Sequence, residues 1–515
     1  MHLLTIIAFA VLILEGDDPG QWCIVDPGER ALTLLAGLGP FLVLVFLGWV
    51  VNRRGLGLLA SGRKSADHVH QFLSRSGFAL RLAATVAFAG AVLLTNWSGL
   101  FGVGTNRPGL QILNDLVALL PYALTLVLLW VVTYPVESAL REREFSREPA
   151  ANDDRHGRLK LRRYLDFNIR HHLLVVGVPM TLILVAADVI RAYEAELARS
   201  LGLPWAGDIL LGVVAAVMFV VAPLILVRIW RTESLPAGPL RRRLERICQR
   251  IGLRCRDILI WKSDGTMINA AVMGLIPGVR YVMLSDALLE TMTDRQVEAV
   301  FGHEAGHICR RHIQRFLVFA FVGWLFVAGL MEGMAVLAIR SGHATAGVLF
   351  VIQGLGVVST LLFWGIGFGM LSRRFERQAD LFGARCVTAN GDACTVPCSV
   401  HLEATRSRDA DAISPHPDRV CATGAEVFAS ALDRVALLNG IPHEERSWRH
   451  SSIGSRIRLL MALAGDPALA ERFERSTRRV NKLLLTLAVT GALAVVVYWV
   501  MVSMPAILRL QAGQL

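Results

Sequence analysis

Thr293-Asp-Arg-Gln-Val-Glu-Ala-Val-Phe-Gly-His303-Glu304-Ala-Gly-His307-Ile-Cys-Arg-Arg-His312-Ile-Gln-Arg-Phe316 leads directly into an apolar run, Phe316–Ile339. Thr293 and Gln296 stand three apart ahead of apolar residues, the capping-box pattern that opens a helix. Within that helix His303 and His307 are four apart, so both imidazoles leave one face a turn apart. Two neutral imidazole nitrogens so placed can bind one Zn²⁺. Glu304 follows the first histidine and can act as general base toward the attacking water, then as proton donor to the leaving amine, without ligating the metal. The apolar run is long enough to cross a bilayer, which takes ~18–20 residues. A metal-binding helix thus adjoins a membrane span, and this pairing decides the fold class.

Working outward, similar runs occupy Ala31–Val51, Phe78–Phe101, Leu110–Val136, Leu173–Ile190, Asp208–Trp230, Ala346–Leu371 and Leu483–Leu508. Residues 2–14 form a shorter one with no cationic stretch before it and no small-x-small site after it; it reads as a short signal-anchor helix. About nine spans result. The composition agrees: 54% of residues are hydrophobic and 18% charged, with a mean hydropathy of +0.49. Soluble domains sit near 45–50% apolar and about 25% charged.

The formal charge of +11 does not imply a nucleic-acid partner, because the basic residues alternate by loop. Residues 52–77 carry Arg53, Arg54, Arg63, Lys64 and Arg75, and residues 137–172 carry nine Arg and Lys; the intervening 102–109 turn has only Arg107. The long segments 231–315 and 372–480 are again arginine-rich. The positive-inside rule puts the N-terminus and both long segments in the cytoplasm and the C-terminus outside. Only four of the 53 basic residues are lysine. That skew suggests a GC-rich genome and hence a bacterial inner membrane.

The two long segments are the soluble part. Leu240, Leu244, Ile247, Cys248 and Ile251 recur at helical spacing, Arg256–Trp261, Thr266–Met273 and Arg280–Ser285 read as strands, and Pro277-Gly278 as a turn. The expected organisation is a membrane region over 1–230, a first peptidase part over 231–315, a transmembrane hairpin over 316–371, a second part over 372–480, and a C-terminal helix and tail over 481–515. A catalytic metal needs a third protein ligand. Arg310 and Ile313 occupy the places where a glycine and a third histidine would continue the motif, and His312 lies roughly 140° round an unbroken helix from His307, pointing elsewhere. The ligand must come from a distant segment, and Phe375-Glu-Arg-Gln-Ala-Asp380 offers Glu376 and Asp380 on one helical face. Glu332 and Glu403 are the next candidates. If the helix is unbroken, His307 lies roughly 13 Å before Phe316 at 1.5 Å per residue, so the metal sits near the cytoplasmic membrane surface.

H-E-A-G-H followed by E-R-Q-A-D across a membrane hairpin resembles the membrane gluzincin family, which joins the HtpX quality-control proteases and the CaaX prenyl endopeptidases. The resemblance covers roughly Arg231–Ala462. It implies one Zn²⁺ per chain, with Glu376 as third ligand and Asp380 supporting a histidine ligand. Ile268-Asn269-Ala270 matches a family Asn-Ala element beside the cleft, which implies that Asn269 and Ala270 bind substrate. His450 and Arg456 match a late His…Arg-Ile element, implied to face substrate and steady the tetrahedral intermediate; Ser451 stands where the family usually has proline. Six spans ahead of the motif fit neither subgroup's layout cleanly.

The fold class expected is therefore a multi-pass α-helical membrane protein with a split, α+β zinc-peptidase domain on the cytoplasmic side. Its substrates would be peptides or membrane-associated proteins, misfolded ones first, adding as a strand near Thr266–Met273. Rivals are processing of lipidated C-termini, an inactive peptidase-like scaffold, and a transporter. Arg81, Asp115, Asp188 and Glu332 lie in or near apolar runs, where charge hints at function, but their scatter reads as helix packing or snorkelling. Cys386, Cys394, Cys398 and Cys421 lack tight C-x-x-C pairing, so reduced thiols are favoured over a second metal site.

Overall fold

The structure is a computed structural model, and it describes residues 2–15, 30–61, 66–95, 97, 100, 111–145, 160–203, 205–263, 267–389, 419–439, 441–445, 448–498 and 500. They fall into two compact units, Met1–Glu233 with Trp261–Gly265, and Ser234–Ile260 with Thr266–Leu515. Cys394, Cys398 and Glu403 lie outside the described residues, as do the start of the expected 266–273 strand and the end of the chain.

The first unit is helical: α1 (His2–Glu15), α2 (Arg30–Ser61), α3 (Ala66–Leu94), α4 (Gln111–Phe145), α5 (Leu161–Asn168), a π turn into α6 (Val175–Ala192), α7 (Glu194–Leu201) and α8 (Ala206–Ile229). Eight helical stretches among the described residues are long and apolar enough to span a bilayer, five of them in this unit. The ninth expected, α1, has 14 residues, about 21 Å at 1.5 Å per residue against a core of about 30 Å. Its Ala8, Val11 and Leu12 pack into a cluster with Ala84, Phe88 and Tyr122, and Phe9 packs with Val176 and Leu184. Leu35, Leu42 and Val86, by contrast, are exposed, as lipid-facing residues must be.

Two of the charged groups in the spans are engaged in packing. Asp188 accepts from the Ile112 N–H at 3.4 Å, and Glu332, in the second unit, accepts from the Tyr498 hydroxyl at 3.1 Å.

A four-stranded sheet has the order β1-β2-β4-β3, from β1 (Thr232–Ser234), β2 (Asp257–Trp261), β3 (Ala270–Met273) and β4 (Tyr281–Ser285); β3 and β4 lie wholly in the second unit. β3 pairs only with β4, antiparallel with Ala270 opposite Leu284, so it is an edge strand. α9 (Pro239–Arg250) places Leu244 and Ile247 in one cluster with Val282 and Leu284 of β4 and with Phe301, the apolar stripe anticipated from its spacing. α10 (Asp286–Thr291) leads to α11 (Asp294–Cys309), then α12 (His312–Arg340), α13 (Ala346–Leu362), α14 (Gly369–Ala389), α15 (Ala422–Leu438), α16 (Ile453–Gly465) and α17 (Pro467–Tyr498). The Thr293 hydroxyl accepts from Gln296 N at 3.3 Å and the Gln296 side chain accepts from Thr293 N at 3.1 Å, closing the capping box of α11.

Two expectations about continuity are corrected. α11 does not run on into the span: it ends at Cys309, and Arg311 takes φ 53° before α12 begins. The second arm of the hairpin, conversely, does not stop at Leu371. α13 passes through a π turn, Phe363–Phe368, into α14, so one rod carries the span and the Glu376 segment. Cys386 and Cys421 are buried, and Cys421 Sγ accepts from the Gly424 N–H at the start of α15.

Candidate active site

Glycines set how closely the two metal-bearing helices approach. A Cβ added to Gly302 of α11 would lie 2.9 Å from the Cys386 Cβ, and one on Gly383 of α14 would lie 2.9 Å from Ala299 O and 3.0 Å from His303 N. Gly306 meets the backbone of Ala379 and the Cβ of Phe382 in the same way. No side chain fits in this seam, so α11 and α14 pack backbone to backbone. That brings residues 376 and 380 level with 303 and 307.

His303 Nε2 and His307 Nε2 stand 3.2 Å apart, and they lie 3.6 Å and 3.8 Å respectively from the Glu376 carboxylate oxygens. Ligands at about 2.0–2.1 Å in a tetrahedral shell sit roughly 3.3 Å from one another. The donor set therefore fits one small divalent cation, and it is the only cluster of three among the described residues that does so.

Each histidine is oriented from behind by a different device. His303 Nδ1 stands 2.9 Å from Asp380 Oδ1, and Arg456 clamps that carboxylate through Nε at 2.9 Å and Nη2 at 2.5 Å. Burial lowers the basicity of His303, but Asp380, with Glu376 and Glu304, outweighs it and raises the imidazole's pKa. A carboxylate behind a histidine ligand has this effect in metal sites generally. His307 Nδ1 lies 3.0 Å from His312 Nδ1, whose Nε2 is 3.0 Å from Gln378 Oε1; Gln378 Nε2 then donates to Glu474 at 2.7 Å. Arg385 and Arg310 donate to the other Glu474 oxygen at 2.9 Å and 3.2 Å. The direction of this chain is determined. Glu474 only accepts, so the Gln378 amide nitrogen donates and its oxygen accepts from His312 Nε2–H. His312 Nδ1 is then an acceptor, His307 Nδ1 carries the proton, and His307 Nε2 presents its lone pair to the cluster. Burial pushes His307 down to about 4, which keeps the imidazole neutral for this role.

His312 was expected to point elsewhere, on the premise of an unbroken helix. The left-handed turn at Arg311 resets its direction and stacks its ring on Phe375, centroids 4.3 Å apart and planes 2° apart. No glycine or proline marks the break, so only a histidine five residues after the motif hinted at it.

Glu304 is half-buried beside the cluster. Burial pushes it up to about 7; His303 opposes this, Glu376 adds to it, and a hydrogen bond from the Val272 backbone and the charge of His450 oppose it. That contact sets Glu304 against β3. Asn269 and Ala270 sit at the start of the same strand: Asn269 O accepts from Ser285 N at 3.0 Å, and Ala270 is buried. His450 is about half exposed, its Nδ1 3.0 Å from Glu376 Oε2. Arg456 is buried, its Nη2 3.8 Å from Glu376, so it lies behind the ligands. Ser451 takes φ 63°, a conformation closed to the proline usual in the family.

Fold and site together define a multi-pass helical membrane protein with a candidate metal centre assembled from two chain segments. Residues 234–422 match the model of Peptidase family M48. Among solved structures, the crystal structure of S. mikatae Ste24p is similar, with 13% identity over 89% of this chain and 98% of that one and a TM-score of 0.45. No curated protein matches the chain in sequence.

Proposed function

We propose that the protein is a zinc-dependent endopeptidase of gluzincin type that cleaves membrane-associated polypeptides, misfolded membrane proteins foremost. Its split domain, over 231–315 and 372–480, would face the cytoplasm of a bacterial inner membrane. The observation that carries this reading is the His303–His307–Glu376 cluster with Glu304 beside it and an edge strand alongside.

His303, His307 and Glu376 would hold the zinc, which when bound supplies Lewis acidity to polarise the scissile carbonyl and acidify water. Glu304 takes a proton from the attacking water on its carboxylate and returns it to the leaving amine; a base poised near neutrality suits both transfers. The substrate lies extended along β3, where main-chain hydrogen bonds align it with little demand on sequence, with Asn269 and Ala270 at the strand's start. His450, on the open side of Glu376, faces the substrate oxygen. Asp380 and Arg456 act through His303 as positioning residues.

Purified protein should cleave casein or unfolded membrane proteins, and Glu304→Gln should keep its zinc and melting temperature while losing activity by about 10²–10⁴-fold. Undiminished cleavage by that variant would remove Glu304 from the mechanism. Wild-type cleavage of prenylated peptides alone would move the substrate class to lipidated C-termini.

A further inference from the structure

Away from the His303–His307–Glu376 cluster, α12, α14 and α17 line an open pocket of about 560 Å³. Phe319, Leu371 and Leu484 form its apolar wall, and Arg373, Arg374 and Arg377 line it as well. The wall residues come from the ends of three apolar runs, Phe316–Ile339, Ala346–Leu371 and Leu483–Leu508; the arginines occupy the next two turns of α14. The cavity therefore straddles the boundary between hydrocarbon and water.

The arginines are not consumed by the fold. Arg373 donates to the Trp448 carbonyl at 2.8 Å and Arg374 to the Ser476 hydroxyl at 2.8 Å, both neutral acceptors. No carboxylate of a described residue comes within ion-pair distance of any of the three. Three guanidinium groups lining one pocket without an anion among the described residues call for an anionic ligand with several acceptor oxygens. The adjoining hydrocarbon wall calls for an acyl chain on the same molecule.

We infer that this cavity binds an anionic phospholipid of the surrounding bilayer, with the phosphate on Arg374 and Arg377 and an acyl chain along Phe319 and Leu484. A basic pocket between spans is the usual setting for such recognition. The bound lipid would fasten the root of α14, the helix that carries Glu376.

The test is native mass spectrometry of the full chain in neutral detergent, offered phosphatidylglycerol and phosphatidylcholine with the same acyl chains. The wild type should retain the anionic lipid in roughly thirtyfold preference, from about 1 kcal/mol for each of the two arginines at the phosphate and about 1.4 kcal/mol per decade. Arg373→Gln/Arg374→Gln/Arg377→Gln should abolish the preference with zinc content unchanged, and Val480→Phe, which fills the cavity, should reduce retention of the anionic lipid. Equal retention of both lipids by the wild type would overturn the proposal, and this comparison needs no variant to fold. Displacement of phosphatidylglycerol by millimolar inorganic phosphate would also overturn it, in favour of a soluble phosphate site.

Discussion

His312→Phe tests the directional hydrogen-bond chain behind His307. Phenylalanine keeps an aromatic ring to stack on Phe375 but removes both ring nitrogens. His307 Nδ1 loses its acceptor at 3.0 Å and Gln378 Oε1 loses its donor at 3.0 Å. Removing an outer partner of a metal ligand typically costs 10–100-fold in metal affinity, about 1.4–2.8 kcal/mol at 1.4 kcal/mol per decade. The two orphaned groups cost a further roughly 1–3 kcal/mol each in the folded state, which would appear as a lower melting temperature. Zinc affinity should be read by competition against a chromogenic chelator, with melting curves taken in parallel. Gln378→Leu leaves His312 in place but frees its tautomer, so it should weaken zinc by a smaller factor. A His312→Phe variant that melts early yet binds zinc as tightly as the wild type would refute the tautomer argument and leave His312 a packing residue.

Glu376→Ala should lose both stoichiometric zinc and cleavage, measured by metal analysis and proteolysis; retained zinc would direct the search to Glu403, since Glu332 lies about twenty residues along α12 from His312 and meets Tyr498. Gly383→Ala places a methyl 2.9 Å from Ala299 O and 3.0 Å from His303 N, neither of which can rotate away. It should cost about 1–3 kcal/mol by overpacking and weaken zinc binding as α14 is displaced, read in the same melting and competition assays. Reporter fusions after Arg163 and Arg449 should report the cytoplasm and a fusion after Leu515 the outside; an external signal at Arg449 would invert the topology.

The membrane helices were legible because lipid imposes one simple demand, length without charge, and α11 was legible because its capping box and its His–His spacing are local. Glu376 and Asp380 could be placed on a common face by spacing alone. What the sequence hid is non-local or conformational. Arg456 meets Asp380 from 76 positions away and Glu474 meets Gln378 from 96, distances at which no periodicity speaks. The left-handed Arg311 has no residue-type signal, so His312 was assigned the wrong direction. The glycines at 302, 306 and 383 were readable in principle: small residues four apart on two helices are the mark of close approach. α1 was counted as a span on composition, where its length and its buried inner face set it apart.

The unbroken rod of α13 and α14 has a bearing on where cleavage falls. Because the glycine seam fastens α11 to α14, the histidines and Glu376 ride together on a helix rooted in the bilayer. A thinner membrane tilts such a rod and lowers the whole centre toward the surface without changing the spacing of its ligands. An extended substrate advances about 3.3 Å per residue, so a few ångströms of descent would shift the scissile bond by one residue. The protein would then act as a ruler measured from the bilayer, its cutting position following lipid thickness while its chemistry stays constant.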